Sequence, residues 1–335
     1  MRIAICANRQ GTAPPPHATM HYEAEWDTPS TIEAVAQAVR QEHECVGVIE
    51  ADVHAFEALR CLRPALVFNM AECAGGRDRE GRIPAMLEML GIPYTGSDPV
   101  TLGMGLDKAL YNHILRAAGL PVPSAVVVHQ GGALPAVAFP AIVKPVHEGS
   151  GIGIHASSLV YTPQEVQREV RRIHTQHGEA AVIEAFLPGR EFTVALLGNG
   201  PSLHVLPVLE ILLENLPAGV PRLYSYEAKW LYDTPAHPLD LHACPAQISP
   251  TLQDKLVAGS RHAFTALGCR DWCRIDWRCD RHGQPHILEV NALPGLIPAP
   301  EAHSCFPTAA RAAGMTFDEL ILSIIETAAR RYGLV

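Results

Sequence analysis

Short apolar runs alternate with segments of helical periodicity over the first third of the chain. Residues 2–7, 46–50 and 65–69 are apolar runs bounded by polar residues, and they are predicted as buried strands. A Ser30–Glu33 pair that matches a capping box precedes a segment with one apolar face, which is predicted as a helix. Strands that alternate with helices in this way favour a parallel sheet.

The middle of the chain is predicted to form a smaller layer of helices and strands. A helix is expected over residues 106–118, and Thr162 with Glu165 matches the capping box of another helix. The strands of this layer are expected at residues 125–128, 141–144 and 181–185. A glycine-rich loop over residues 148–153 follows the second strand.

The last part of the chain contains a predicted hairpin and the elements around it. Strands are expected at 191–197 and 203–211, a helix at 252–267, and the two arms of the hairpin at 271–280 and 285–291. The chain is therefore expected to combine an α/β N-terminal domain with two α+β units. The bounds of these three units are residues 1–97, 98–188 and 189–335.

The predicted hairpin brings acidic side chains together. The two-residue period of a strand places Arg274 and Asp276 on one face, and a turn centred near Gly283 gives cross-strand partners whose numbers sum to 565. Asp276 then lies opposite Glu289, and Arg274 opposite Asn291. Two facing carboxylates repel unless a cation lies between them, and these oxygen ligands suit Mg²⁺. A solvated outer face with a network of ion pairs is the alternative for an isolated hairpin.

The glycine-rich loop and the lysines indicate a phosphate site. Gly149 and Gly151 allow backbone N–H groups to approach phosphate oxygens, and Lys144 on the preceding strand supplies positive charge. A plain loop between two strands is the alternative. Only four of the 26 basic residues are lysines, namely Lys108, Lys144, Lys229 and Lys255. A lysine retained against this bias indicates a position where a compact ammonium is required.

Composition and charge exclude several classes of protein. A formal net charge of −9 argues against nucleic-acid binding, and 18% charged residues with 48% hydrophobic residues are typical of a globular chain. The chain lacks an apolar run of about 20 residues and a secretory leader, so we expect no membrane association. Nine cysteines without a C-x-x-C pair indicate reduced thiols and a cytoplasmic location. His237, His242 and Cys244 are candidate zinc ligands, but their spacing matches no zinc pattern.

Taken in order, the motifs resemble those of the ATP-grasp superfamily, and specifically the D-alanine:D-alanine ligase group. The likeness begins near residue 65 and extends over nearly all of the chain that follows. Its motifs are Val67-Phe68-Asn69, Gly91-Ile92-Pro93-Tyr94-Thr95-Gly96-Ser97, Asp107-Lys108, Ile142-Val143-Lys144-Pro145, Gly149-Ser150, Glu184 to Glu191, Tyr226-Glu227-Ala228-Lys229, Arg274-Ile275-Asp276, Leu288-Glu289-Val290-Asn291 and Pro294-Gly295-Leu296.

The resemblance implies an ATP-grasp fold, in which an N-terminal parallel-sheet domain precedes two α+β subdomains that sandwich ATP. It implies that nucleotide contacts come from Lys108, Lys144, Gly149, Gly151, Glu184, Phe186, Leu187 and Glu191. It implies catalytic roles for Arg274, Lys229 and Ser150, and Mg²⁺ ligands in Asp276, Glu289 and Asn291, with Mn²⁺ as an alternative ion.

The reaction implied by the resemblance has two steps. A substrate carboxylate attacks the γ-phosphate of ATP to give an acylphosphate, and an amine then attacks the activated carbonyl to give an amide. Water must be excluded between the steps, so we expect a closing loop around residues 224–233. Small amino acids are the expected substrates, and a homodimer is the expected assembly.

Departures from the family pattern fall where substrates bind. The segment 8–16 is rich in proline, and Glu23 and Glu25 are candidates to replace the family's acid for the first amino group; we assign Glu25. Glu72 stands where a histidine is expected, and Trp230 where a tyrosine is expected. By the same resemblance, the acceptor carboxylate contacts Gly295, Leu296 and Ser304.

These departures predict substrates other than two D-alanines, because a site built on hydrogen bonds changes specificity when its partners change. An ordinary D-alanine:D-alanine ligase with a divergent N-terminus is the alternative within the family. A nucleotide-binding protein without ligase activity is the alternative from another class.

Overall fold

The computed structural model describes residues 1–12, 22–232, 239–302 and 304–335, and the side chains of Tyr22 and Trp230 lie outside that description. Within these ranges, no helix is both long enough and apolar enough to cross a bilayer. The cysteines all lie in the described part of the chain and are present as free thiols, in agreement with the prediction.

The N-terminal part folds as a parallel sheet whose strands are joined by helices, as predicted. In chain order the elements are β1 (Arg2–Ala7), α1 (Pro29–Glu42), β2 (Glu44–Glu50), α2 (Ala55–Leu62), β3 (Leu66–Met70) and α3 (Arg82–Leu90). The strand order is β2–β1–β3, and all residues of β3 are buried. After α3, an isolated parallel bridge joins Tyr94 to Val67 in β3.

Helix α1 begins earlier than predicted. Thr28 is its N-cap, and the Thr28 hydroxyl accepts a hydrogen bond from the backbone N–H of Thr31 (3.2 Å). Pro29 occupies the first turn, where its fixed φ fits a helix and its missing N–H is not needed. The predicted Ser30–Glu33 capping box is therefore wrong. Glu33 instead pairs with Arg40 on the exposed face of the helix (2.8 Å).

The helix predicted over residues 106–118 is interrupted, and a separate helix precedes the interruption. The two helices are α4 (Pro99–Leu106) and α5 (Lys108–Ala117). Asp107 between them has φ −96° and ψ 96°, and its carboxylate accepts hydrogen bonds from the N–H groups of Ala109 and Leu110. This cap fixes the start of α5, and Lys108 is its first residue.

An antiparallel sheet occupies the middle of the chain, as predicted. Its elements are β4 (Ala125–Val128), β5 (Ala141–Pro145), β6 (Leu159–Val160), α6 (Pro163–Gln176) and β7 (Ala181–Ala185), with the strand order β4–β7–β5–β6. The predicted capping box of α6 is confirmed: Thr162 accepts from the N–H of Glu165 (3.3 Å), and the Glu165 carboxylate accepts from the N–H of Thr162 (3.2 Å).

A second antiparallel sheet carries the hairpin. Its elements and neighbours are β8 (Glu191–Leu197), β9 (His204–Val205), β10 (Leu209–Ile211), β11 (His242–Ala243), α7 (Pro250–Ala266), β12 (Trp272–Cys279) and β13 (Pro285–Asn291). The strand order is β11–β10–β8–β12–β13, and β9 also pairs with β8. The single strand predicted over residues 203–211 is two strands. Pro207 lies between them and has no N–H for a ladder.

The hairpin register is as predicted at one end and shifted at the other. Arg274 pairs with Asn291 and Asp276 with Glu289, as the sum of 565 requires. The register then shifts by one residue, so that Trp277 pairs with Ile287. The prediction that all pairs sum to 565 is therefore wrong for the pairs closer to the turn, because a bulge adds one residue to β13.

Two C-terminal helices, α8 (Cys305–Ala312) and α9 (Phe317–Arg331), were not predicted. Thr316 and Glu319 form a capping box before apolar residues at helical spacing, and that pattern was available in the sequence. Helix α9 contacts residues near the end of the N-terminal part and near the start of β12. Arg331 donates to the carboxylate of Asp271 (2.7 Å) and to the carbonyl oxygen of Tyr94 (2.9 Å).

The largest hydrophobic core joins the N-terminal sheet to the hairpin sheet. It contains Ile3 and Phe68 from the first and Phe192, Ile275 and Trp277 from the second. A separate cluster lies between α6 and the middle sheet. Buried apolar residues, which alternate with the polar residues along the hairpin strands, thus hold the hairpin in place. The domain bounds at residues 97 and 188 stay a prediction.

The contact between Gly259 and Trp277 provides a test of this packing. A Cβ atom on Gly259 in α7 would lie 2.5 Å from Cη2 of Trp277, which is buried. We expect Gly259→Ala to lower the free energy of unfolding by about 1–3 kcal/mol, measured by denaturant titration. Gly103→Ala in α4 is the matched control, since no atom lies within 4 Å of the added carbon. It should be neutral or stabilising, by up to about 1 kcal/mol. Equal effects of the two substitutions would contradict close packing behind the hairpin.

Candidate active site

A cleft of about 530 Å³ opens between the three sheets and contains most of the predicted site residues. The predicted residues that line it are Glu25, Glu72, Lys108, Lys144, Gly149, Ser150, Gly151, Glu184, Phe186, Leu187, Glu191, Lys229, Arg274, Asp276, Glu289, Asn291, Gly295 and Ser304. Residues far apart in the chain therefore meet in one cleft.

The hairpin presents its acidic pair to this cleft. Arg274 donates two hydrogen bonds to the carboxylate of Asp276 (3.0 and 2.9 Å), and the side-chain amide of Asn291 donates a third (3.1 Å). Burial alone would raise the pKa of Asp276, but the charge and hydrogen bonds of Arg274, a hydrogen bond from the Thr193 hydroxyl and the charge of Lys229 hold it below its ordinary value. Asp276 is therefore a carboxylate, and with Glu289 and the amide oxygen of Asn291 it offers the hard oxygen donors that Mg²⁺ prefers.

The lysines lie on elements that face the hairpin. Lys108 donates to the carbonyl oxygen of Glu148, and its Nζ lies 3.8 Å from Oε1 of Glu289. Lys144 pairs with Glu184 (2.6 Å), and both side chains are buried. The second carboxylate oxygen of Glu184, Oε1, is buried without a hydrogen-bond partner in the described residues. A buried polar atom without a partner at the edge of a cleft is a position where a ligand can donate a hydrogen bond.

The glycine-rich loop lies close to both Glu25 and Tyr226. Ser150, Gly151 and Gly153 have positive φ angles of 51°, 76° and 74°, so the loop turns sharply after Glu148. A Cβ atom on Gly149 would lie 2.4 Å from the Glu25 carboxylate, and one on Gly151 would lie 3.3 Å from the backbone nitrogen of Tyr226. A larger residue at Gly149 would displace Glu25.

Arg278 is a site residue to which the sequence analysis gave no role. It pairs with Glu191 (3.0 Å), and its guanidinium lies 4.9 Å from the centroid of the Phe186 ring. Burial raises the pKa of Glu191 above its ordinary value, and Arg278 opposes that shift. The two-residue period already placed Arg278 on the same strand face as Arg274 and Asp276, and this was the available sign of its position.

Comparison with known proteins gives the family of this chain. Residues 104–326 match the family model described as D-ala D-ala ligase C-terminus. A D-alanine--D-alanine ligase of Chromohalobacter salexigens is 36% identical over 82% of this chain and 83% of its own length. The chain belongs to the D-alanine:D-alanine ligase family.

Two further comparisons give another relative and a structure of similar fold. An uncharacterized protein, y4sG, of Sinorhizobium fredii is 39% identical over 80% of this chain and 75% of its own length. The crystal structure of a Bacillus anthracis D-alanine--D-alanine ligase complexed with ATP matches with a TM-score of 0.75 and 22% identity, over 100% of this chain and 99% of that chain. The ATP-grasp fold is confirmed, and the enzyme is an ATP-dependent ligase of the ADP-forming type.

The N-terminal end of the ligase cleft is acidic. Arg79, which is buried, donates to both oxygens of Glu25 (3.1 and 2.9 Å). Burial and the neighbouring carboxylates raise the pKa of Glu72 well above its ordinary value and that of Glu80 to about 8. Burial raises the pKa of Asp27 to about 7. Arg79, Glu80 and Asp27 had no sequence pattern to mark them, because the folding of distant segments brings them together.

Some predicted residues are placed differently or lie outside the described part of the chain. Leu296 is 1% exposed and packs in the largest core, so its side chain does not line the cleft. The side chain of Trp230 is outside the described residues. Ser304 lines the cleft, and its hydroxyl donates to the carbonyl oxygen of Gly295 (3.1 Å).

The expected closing loop is partly described. Residues 228–232 form a π-helical turn, whereas Asp233 is outside the described residues. The Lys229 ammonium lies 4.8 Å from the centroid of the Tyr224 ring and faces the cleft.

The zinc alternative gains no support in the described residues. His237 lies outside them, and no group of three metal-ligating side chains found within them contains His242 or Cys244. The Sγ atom of Cys244 instead contacts the carbonyl oxygen of Pro207 (3.6 Å).

The acidic end predicts a specific dependence of stability on pH. A carboxyl group with a pKa of about 8 in the folded state and about 4.5 in the unfolded state binds its proton more tightly when folded. Its contribution to stability is therefore present below pH 4.5 and lost as pH rises to 8. We expect Glu80→Gln to raise the thermal unfolding midpoint of the ligand-free enzyme more at pH 8.5 than at pH 5.5.

Glu214→Gln is the control for this measurement, because Glu214 is exposed. It should shift the midpoint equally at both pH values. A Glu80→Gln effect that is also independent of pH would contradict the acidic environment.

Proposed function

We propose that this enzyme joins the carboxylate of one amino acid to the amine of another through an acylphosphate, and that its substrates are not two D-alanines. The observation that carries the reaction is that Asp276 and Glu289 on the hairpin line one cleft together with Lys108 and Lys144. A triphosphate with its cation would neutralise both sets of charges.

The nucleotide contacts follow from the walls of the cleft. Lys108 and Lys144 would bind phosphates, with the backbone of Gly149 and Gly151 beside them. The apolar side chains of Phe186 and Leu187 would contact the adenine, and Glu184 and Glu191 would accept hydrogen bonds from adenine and ribose. Burial of Lys144 and Glu184 as a pair keeps both side chains in position before ATP arrives.

Asp276, Glu289 and Asn291 would hold Mg²⁺, with Mn²⁺ as an alternative, and the ion would neutralise charge on the phosphates. Lys229 and Arg274 would offset the negative charge that develops on the transferring phosphoryl oxygens. Ser150 would lie beside the reacting groups, since the glycine-rich loop brings it into the cleft.

In the first step, a substrate carboxylate oxygen forms a bond to the γ-phosphorus, and the bond from that phosphorus to the bridging oxygen of ADP breaks. In the second step, an amine nitrogen bonds to the acyl carbon, phosphate leaves, and the nitrogen loses a proton. Residues 224–232 would cover the intermediate and limit its hydrolysis. Gly295, Leu296 through its backbone, and Ser304 would contact the acceptor carboxylate.

The acidic end of the cleft supports substrates other than two D-alanines. Glu25 is already paired with Arg79, and Glu72 and Glu80 form no ion pair within the described residues. The pKa values of Glu72 and Glu80 are raised, so these carboxyl groups hold their protons when no cation is near. A substrate with an additional cationic group would favour their charged forms and pair with them. We therefore expect a basic or diamino acid at this end.

Three features are also retained as proposals: the division at residues 1–97, 98–188 and 189–335, assembly as a homodimer, and a cytoplasmic location. They follow from the family resemblance and from the cysteine content.

The direct test is a screen of amino acids in pairs for ADP release with magnesium ATP. We expect release with a pair that includes a basic or diamino acid. Asp276→Asn is the matched control, because it keeps the shape of the side chain but removes the charge. It should lower turnover at least about 100-fold.

The screen also separates the alternatives. Release with D-alanine as the sole amino acid would favour an ordinary D-alanine:D-alanine ligase. No release with any pair, together with retained ATP binding, would favour a nucleotide-binding protein without ligase activity.

A further inference from the structure

Three metal-ligating side chains converge where the glycine-rich loop begins. Glu148 opens the loop, His177 follows α6, and Glu179 lies just before β7. One ring nitrogen of His177 and one oxygen of each carboxylate all lie within 4.8 Å of one another. The side chains are 5% exposed for His177, 7% for Glu148 and 15% for Glu179.

Two buried atoms of these side chains lack hydrogen-bond partners within the described residues. His177 Nδ1 and Glu179 Oε1 are buried and accept or donate no hydrogen bond within the described residues. Each such atom costs about 1–3 kcal/mol if nothing satisfies it. Both can be satisfied at once by a cation, since the neutral imidazole nitrogen and the carboxylate oxygen each offer a lone pair.

The distance between His177 and Glu148 also suits a shared metal ion. His177 Nδ1 lies 3.7 Å from Oε1 of Glu148, which is too long for a hydrogen bond. Two ligands bound to a tetrahedral ion at about 2.1 Å are separated by ~3.4 Å. A small side-chain adjustment would therefore bring both atoms to a shared metal.

The surroundings of Glu179 resemble the outer contacts of a metal ligand. Its other oxygen, Oε2, accepts from the backbone N–H of His147 (3.0 Å) and lies 2.7 Å from Nδ1 of the same residue. Nε2 of His147 lies 3.4 Å from the Asp107 carboxylate. His147 thus holds Glu179 through Oε2.

We propose that Glu148, His177 and Glu179 bind a transition-metal dication of the zinc class, with water completing the coordination. The imidazole nitrogen disfavours Mg²⁺ and Ca²⁺, whereas the set of one nitrogen and two carboxylates suits zinc, cobalt and manganese. The site is distinct from the all-oxygen group on the hairpin. It does not depend on the proposed reaction.

The ion would steady the loop that forms one wall of the cleft. Glu148 supplies a ligand through its side chain, and its carbonyl oxygen accepts from Lys108. A Cβ atom on Gly153 would lie 2.9 Å from Nε2 of His177, so the far end of the loop also packs on this histidine. Metal binding would therefore restrain both ends of the glycine-rich loop.

Cobalt(II) titration of the chelator-treated full chain, without nucleotide, tests the proposal. We expect saturable visible ligand-field absorption at about one equivalent, without the thiolate charge-transfer bands that cysteine ligation would give. His177→Ala and the isosteric Glu179→Gln should weaken cobalt binding at least about 10-fold. His174→Ala, in α6 three residues before His177, and Asp276→Asn should bind as the wild type does.

Circular dichroism melting of the metal-free variants shows whether they are folded. If His177→Ala does not fold, the isosteric variants Glu179→Gln and Glu148→Gln decide the question. Absence of ligand-field absorption in the wild type, or equal cobalt affinity in the wild type and the folded ligand variants, would overturn the proposal.

Discussion

Asp276 and Glu289 face each other across β12 and β13, and their mutual repulsion is the constraint around which the cleft is organised. Arg274 and Asn291 contact Asp276 from the same hairpin, and Lys108 approaches Glu289 from the start of α5. The contacts of Arg274 hold the pKa of Asp276 below its ordinary value, so that it is a carboxylate.

The position of this pair depends on the opposite face of the same strand. Ile275 and Trp277 are buried, and Trp277 donates through its indole N–H to the hydroxyl of Ser260 on α7 (2.9 Å). Because side chains alternate along a strand, packing of the apolar face fixes the direction of the polar one. The largest core then joins this hairpin to the N-terminal sheet, which carries the acidic end of the cleft.

Local patterns were sufficient for much of the fold and for part of the site. The two-residue period and a glycine turn predicted the pairs Arg274–Asn291 and Asp276–Glu289, because register near a regular hairpin is a local property. The bulge after Asp276 was not predictable in this way, since it depends on packing. The break at Asp107 was also missed, although an aspartate before a lysine-led helix is a recognisable cap.

Features built from distant segments could not be predicted from local patterns. The acidic end combines residues near position 25 with residues near position 80, and the raised pKa of Glu80 arises only when folding buries it and brings Glu25 and Glu289 close to it. Leu296 is a different case, because its role was inferred from a family motif. The family motif gave its position in the chain, whereas the direction of its side chain follows from the core into which it packs.

A crystal structure with magnesium and a non-hydrolysable ATP analogue tests the central claim most directly. The account predicts a metal ion about 2.0–2.1 Å from oxygens of Asp276, Glu289 and Asn291, with Lys108 and Lys144 on the phosphates. A nucleotide bound elsewhere, with these carboxylates directed to solvent, would contradict it.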